Sequence, residues 1–305
     1  MYGLRLCTFQ LPGVSPGRER MGVVAGSNVF EAKSGDSLMA FLRAGGSVES
    51  IETSDVSYDS EEVIFMAPVS KPGKIIATIV NTQGMLGGKD LRLDWPRLDM
   101  KAPSSVIGPG EKIEAPGGGI RPEIELAAVM GKKLSAGSQA EAMSSIAGFT
   151  ILNDVTSPQD SRDDAYEAYR RDRTTGEIRK SMLRGPLFRS KNHDTFCPMG
   201  PVIVTPDELD DVSDLKMTTK FNGELVQQGS SSEYIFSPAK IASYVSGFLT
   251  LEPGDVVSCG SVGWTPTALG ELDPTEYVLP KSEGVLELEI EGIGKLTNPV
   301  SLSSN

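Results

Sequence analysis

The stretch RPEIELAAVMG, residues 121–131, sets two carboxylates, Glu123 and Glu125, into what is otherwise the apolar run of a buried strand. Successive side chains of a strand point to opposite faces, so Glu123 and Glu125 share one face while Ile124 and Leu126 take the other. Two like charges about 6–7 Å apart in a half-buried place are unfavourable unless a cation, a shared proton or solvent relieves them. A third acid, Asp154, ends another apolar run, FTILND, at 149–154. Three hard oxygen donors with no histidine or cysteine beside them suit Mg2+, Mn2+ or Ca2+ better than zinc. The same spacing also fits an edge strand whose glutamates face water, and the spacing alone leaves both readings open.

Outward from this stretch, short strand-like runs recur: KIIATIVN, SIAGFTILND, PVIVT, KMTTKFNGELVQ, DVVSCGS and GVLELEIEGIG. Separated by Gly- and Pro-rich turns, they predict a mainly β, sandwich or roll architecture with few helices. One helix is well signalled, in SPAKIASYVSGFL: Ser237 can cap it, Pro238 suits the first position, and Ile241, Tyr244, Val245 and Phe248 are expected on one face. Residues 1–70 carry shorter strands and a short helix, SLMAFLRAG, and read as a small N-terminal domain. APVSKPGK reads as the linker to a body over 71–305.

The whole chain has 305 residues, 23% of them charged, with a formal net charge of −12. That balance disfavours nucleic acid and anionic membranes as partners and requires a local cluster of positive charge for any small anionic substrate. No apolar run approaches the roughly 18–20 residues of a membrane span, and no charged-then-apolar leader opens the chain, so a cytoplasmic location is expected. Cys7, Cys197 and Cys259 are widely spaced and odd in number, which fits neither a disulfide framework nor a zinc site and favours a reducing compartment.

RPEIELAAVMGKK, GFTILNDVTS, DTFCPMGPVIVT, FNGELVQQGSSSEYIFSPAKIASYVSGFLTLEPGDVVSCGS and LELEIEGIGKLTNPV, in this order, resemble the fumarylacetoacetate hydrolase family over most of residues 70–300. The resemblance implies a mixed β-sandwich roll, usually dimeric, with a divalent metal, Mg2+ or Mn2+, held by Glu123, Glu125 and Asp154. It also implies an active-site lysine at Lys191, in RSKNHDTFCP. It places Gly260-Ser261-Val262 where the family has a Gly-Thr-Pro loop that contacts the substrate carboxylate, and Gln227 near the site, where a turn-stabilising role is an equal alternative.

Three departures stand beside these matches. Hydrolytic members carry an Asn-Tyr-x-x-His segment whose His, with a Glu, activates water; here the segment reads NTQGM, with Thr82 for the tyrosine and Met85 for the histidine. A thioether is no base at any pH. Pro158 stands where the family commonly has an arginine. The segment from Asp154 to Lys191 is longer than usual and holds Arg162, Arg170, Arg171, Arg173, Arg179, Arg184 and Arg189. These arginines are read either as a positive funnel on a lid over the site, Arg162 reaching the substrate, or as a solvated helix with pairs such as Glu167 to Arg171. His193, the chain's one histidine, lies two residues after Lys191 and is a candidate substitute acid or base.

The chemistry expected is that of a 2-oxo acid or 1,3-dicarbonyl compound passing through an enolate: C–C hydrolysis by family default, or decarboxylation, isomerisation or dehydration because the water-activating pair is missing. A binding protein that keeps the fold without the chemistry is a further alternative. Against it stand the three acids and Lys191, all in place.

Overall fold

The computed structural model describes residues 3–13, 18–34, 37–86, 91–273, 275–279 and 283–302. A long mixed sheet runs in the order Thr53–Asp59, Asn28–Ala32, Arg20–Ala25, Arg5–Gln10, Cys197–Val204, Ile146–Asn153, Ile124–Met130, Val256–Ser261, Ile75–Val80, Arg97–Lys101. A second sheet is built from Glu224–Ser230, Lys216–Phe221, Gly284–Ile290, Gly294–Leu302 and Ile113–Ala115. This is the mainly β, two-sheet arrangement that the recurring strand runs predict.

The Ile124–Met130 strand is buried along its whole length. Its alternation divides two cores: Ile124, Leu126, Ala128 and Met130 face a cluster shared with the second sheet, including Met217, Leu286, Leu288 and Val300. Ala127 and Val129 face another cluster, with Leu38 and Leu42 of the Leu38–Arg43 helix, Ile75 and Val256. Glu123 and Glu125 continue the Ala127/Val129 side by alternation. Flanking strands pair with both of its edges, Ile146–Asn153 on one and Val256–Ser261 on the other. Glu123 and Glu125 are therefore not the solvated glutamates of an edge strand.

The N-terminal strands join the same long sheet, because Arg5 and Leu6 register with Val204 and Ile203. Ala67, Pro68 and Val69 of the expected linker are buried, and Pro68 O accepts a hydrogen bond from Thr8 Oγ1 at 3.0 Å.

Two expectations are corrected. The Pro238–Ser246 helix has the predicted Ser237 cap, accepting from Lys240 N at 3.2 Å, and buries Ile241 and Val245, but it ends before Gly247. Phe248 therefore lies beyond the helix, 66% exposed rather than on the buried face. The arginine-rich segment is not a helix with a Glu167–Arg171 pair. Tyr166–Arg171 and Ile178–Leu183 form an antiparallel hairpin, with Glu167 paired instead to Lys180 at 2.6 Å. Its turn is set by Asp172, whose carboxylate accepts from the amides of Thr174 and Thr175, and by Gly176 at φ +75°. Among the described residues, the hairpin strands pair only with each other.

Candidate active site

Strand ends bring the acids together. Asn153 Oδ1 accepts from Glu123 N at 3.0 Å, and Asp154 N donates to Glu123 O at 2.9 Å, so the start of one strand is locked beside the end of its antiparallel neighbour. Glu123, Glu125 and Asp154 are at most 5% exposed, and each offers a carboxylate oxygen within 4.8 Å of the others. An all-oxygen donor set of this compactness fits Mg2+ or Mn2+.

Glu125 is aimed by an irregularity in the neighbouring strand. Glu125 registers with Ser261 and Ala127 with Ser258, so the Val256–Ser261 strand carries an extra residue between them. The bulge turns two donors onto one oxygen: Gly260 N lies 2.9 Å from Glu125 Oε2, and Ser258 Oγ also donates to it. Gly260 sits at φ +92°, and a Cβ there would come within 2.7 Å of the Asn81 side chain, so glycine alone suits the position.

Three buried cations face the acids. Lys191, 3% exposed, donates from Nζ to Glu123 Oε2 at 2.7 Å, to Thr156 Oγ1 at 3.0 Å and to Asp154 Oδ2. Arg121 Nη2 lies 2.9 Å from Glu123 Oε1, and its other arm reaches Thr275 O at 2.6 Å with the guanidinium over the Trp264 ring. Lys101, absent from the residues singled out in the sequence, puts Nζ 2.7 Å from Asp154 Oδ1 and donates to Lys191 O at 2.6 Å. In RLDMKAP it is simply the last residue of a short strand, and no local pattern marks it.

The electrostatics split the acids. Burial alone would raise the Asp154 carboxyl, but the ammonium groups of Lys101 and Lys191 overcome it and hold it down at about 2. Burial, reinforced by the charge of Asp154, pushes Glu125 up to about 8 against the pull of Lys191 and Ser258. Lys191 is driven down by burial, but Asp154 and Glu123 win, so it remains an ammonium. Burial pushes the thiols of Cys7 and Cys197 up to about 12, and all three cysteines are free and buried.

The remaining candidates divide. Gln227 is fully buried and donates to Ser261 Oγ and Val262 O, both at 3.0 Å, while its oxygen accepts from Thr219 Oγ1 and from Ile124 N, between the two glutamates. It thus fastens residues 260–262 to the strand that follows Glu123. Ser261 Oγ donates to Val262 O at 3.2 Å. Arg162 is exposed and donates to Gln159 Oε1 at 2.9 Å rather than to the acids. Pro158 opens a short helix, Pro158–Asp163, and Met85 packs against the main core. His193 Nε2 lies 2.6 Å from Asp160 Oδ2.

Residues 74–301 match the fumarylacetoacetate (FAA) hydrolase C-terminal family, and the chain belongs to that family. It is 31% identical over 289 residues to a 2,4-didehydro-3-deoxy-L-rhamnonate hydrolase of Sphingomonas sp. (strain SKA58), covering 93% of each chain. It is 30% identical over 312 residues to a mitochondrial oxaloacetate tautomerase of Bos taurus, covering 97% of this chain and 91% of the relative. Among solved structures it resembles a fumarylacetoacetate hydrolase from Exiguobacterium antarcticum, with TM-score 0.76, 27% identity and coverage of 98% and 100%. A 5-carboxymethyl-2-hydroxymuconate delta-isomerase from Mycobacterium smegmatis gives TM-score 0.74 and 26% identity, with the same coverage. The relatives thus include hydrolases, tautomerases and isomerases within one fold. Among the described residues, no helix is long and apolar enough to cross a membrane.

Proposed function

We propose that this protein is a divalent-metal-dependent enzyme acting on a small 2-oxo acid or 1,3-dicarbonyl compound. The observation that carries the reading is the buried cluster in which Glu123, Glu125 and Asp154 converge while Lys191, Lys101 and Arg121 stand against them. A Mg2+ or Mn2+ ion held by the three carboxylates supplies a Lewis acid for adjacent substrate oxygens, with Ca2+ a weaker fit. The protein's own groups do the rest. Lys191, kept charged by its neighbours, holds the substrate carboxylate and stabilises negative charge developing on the 2-oxo oxygen. Lys101 keeps Asp154 ionised and pins the carbonyl end of Lys191, and Arg121 orients Glu123. Gly260, which donates to Glu125, and Ser261, which registers with it, would be the groups of this strand to meet the substrate carboxylate.

Hydrolytic C–C cleavage is the class the family name gives. Tautomerisation or isomerisation is the second reading, and a specific observation favours it: Met85, packed on the core, offers no base to activate water. Proton movement to and from carbon needs no such water. We place the enzyme in the cytoplasm, where its three free thiols stay reduced, and expect a homodimer. The test is a screen of acylpyruvates, oxaloacetate and 2-oxo-3-deoxy sugar acids with Mg2+ and Mn2+. Turnover or tautomer exchange that EDTA abolishes supports the reading, and absence of metal-dependent conversion across all three classes overturns it.

A further inference from the structure

Resting on this reading, we propose that His193 and Asp160 form the acid–base pair of the site, with Asp160 as the positioning residue that leaves His193 Nδ1 free to exchange a proton with substrate carbon. Where Met85 removes the usual histidine, the pair arises from another part of the chain. Asp160 lies on the Pro158–Asp163 helix, six residues after the ligand Asp154, and His193 lies two residues after Lys191. The two segments are tied together: Ser157 N donates to Ser190 O at 2.7 Å, and Ser157 Oγ caps the helix by accepting from Asp160 N at 3.4 Å. Asp160 is thereby joined, through Ser157, to Ser190, the residue before Lys191.

Geometry fixes the roles. Asp160 is buried to all but 8%, and its two oxygens are divided, Oδ1 to Arg189 Nη1 at 2.9 Å and Oδ2 to His193 Nε2 at 2.6 Å. Arg189 is itself held by Asp164 through Nε at 3.0 Å and Nη2 at 2.7 Å. Burial works to raise the Asp160 carboxyl, but the bonds from His193 and Ser157 and the charge of Arg189 keep it below the usual carboxylate range. An ionised carboxylate only accepts, so Nε2 carries the hydrogen of neutral His193 and Nδ1 carries the lone pair. The ring packs at 4.8 Å on Phe196, and its side chain is 34% exposed. Of the charged groups, Asp160 contacts the ring, Arg189 and Asp164 connect to it through Asp160, and Lys191 and Asp194 are its neighbours along the chain.

In the step this pair would carry, Nδ1 takes the proton from C3 of the 2-oxo acid. The C3–H electrons form the C2–C3 double bond, and the carbonyl pair moves to the C2 oxygen beside Lys191. The imidazolium, stabilised by Asp160, then returns a proton to carbon or oxygen. Nothing else is consumed.

Because the chain has one histidine, 15N-labelled imidazole reports this directly in the metal-free full chain. Wild type should show the Nε2–H tautomer, and Asp160→Ala a mixture. Exchange of the C3 hydrogens of 2-oxobutanoate in D2O with Mg2+ is the second readout. His193→Gln should slow it by about 10² to 10⁴, the usual worth of general acid–base catalysis. Asp160→Asn should slow it less and displace the acid limb of the rate–pH profile, and Asp160→Glu should restore both. Should Asp160→Asn fail to fold, His193→Gln and Asp160→Glu carry the test. Metal-dependent exchange that His193→Gln leaves at the wild-type rate overturns the pair alone. Absence of metal-dependent exchange in wild type overturns the proposed function and the pair with it.

Discussion

Replacing Lys101 by Met tests whether the buried cations, and not the acids alone, organise the centre. The side chain is fully enclosed and joins three groups: Asp154 Oδ1 at 2.7 Å, Lys191 O at 2.6 Å and Val155 O at 3.3 Å. Met matches its length and flexibility but leaves a carboxylate oxygen and two carbonyls without their donor. Breaking a buried ion pair by removing one partner costs ~3–5 kcal/mol, and Met packing recovers part of this, so a loss of about 3 kcal/mol is expected. Against a total stability of about 5–15 kcal/mol, that is a large fraction. In urea, with a slope of about 3 kcal/mol per M, the midpoint of the metal-free protein should fall by about 1 M. A divalent ion would then meet one positive charge fewer, so Mn2+ should raise the variant's midpoint more than wild type's and bind it more tightly in calorimetry. The reasoning fails if the midpoint is unchanged, or if Mn2+ stabilises both proteins equally.

Further predictions follow from other contacts. Glu125→Ala should abolish Mn2+ uptake and activity together, and unchanged Mn2+ affinity by calorimetry would remove Glu125 from the ligand set. The hairpin of Tyr166–Arg171 and Ile178–Leu183 should gain hydrogen-exchange protection when oxalate and Mg2+ are added, if it folds over the site; identical exchange with and without them makes its arginines merely solvated. Glu125 keeps its proton in the folded state up to about 8, whereas the unfolded chain sheds it near the ordinary glutamate value of 4.5. Between those values the folded state binds more protons, so this group makes the metal-free protein less stable as pH rises. Chemical denaturation at pH 5 and 8 with and without Mg2+ checks the sign, since an ion that needs Glu125 ionised should stabilise more at the higher pH.

Alternation made residues 123 and 125 share a face but left a solvated edge strand open, and the acid cluster became legible as a metal site through the family resemblance. Asp154 was visible as the polar end of an apolar run. Lys101 was not, because its partners lie 54 and 90 residues away and only the closing of the sheet brings them near. Nor was the job of Gly260, which depends on a bulge that the letters SCGS do not announce. The Tyr166–Leu183 hairpin was missed where charge spacing suggested a helix; the strand pairing of Tyr166 with Leu183, Tyr169 with Lys180 and Arg171 with Ile178, closed by the Asp172 turn, outweighs a surface pair worth about 0.3–0.5 kcal/mol. The Asp160–His193 contact spans 33 residues and was half visible, since the histidine could be suspected and its partner could not.

The N-terminal strands matter for how the molecule is made. Arg5 and Leu6 must wait for Ile203 and Val204 before their ladder can close, so the ribosome releases the first strands long before their sheet partner exists. Pairing across such a separation is slow, and the waiting Arg5–Gln10 edge is exposed meanwhile. A shortened chain beginning after residue 70 would carry the opposite fault, with Cys197–Val204 bared along the side that Arg5–Gln10 covers. Its apolar row, with Val202 and Val204 among it, would invite pairing between molecules, so such a truncation should precipitate during expression although Glu123, Glu125 and Asp154 are all still encoded.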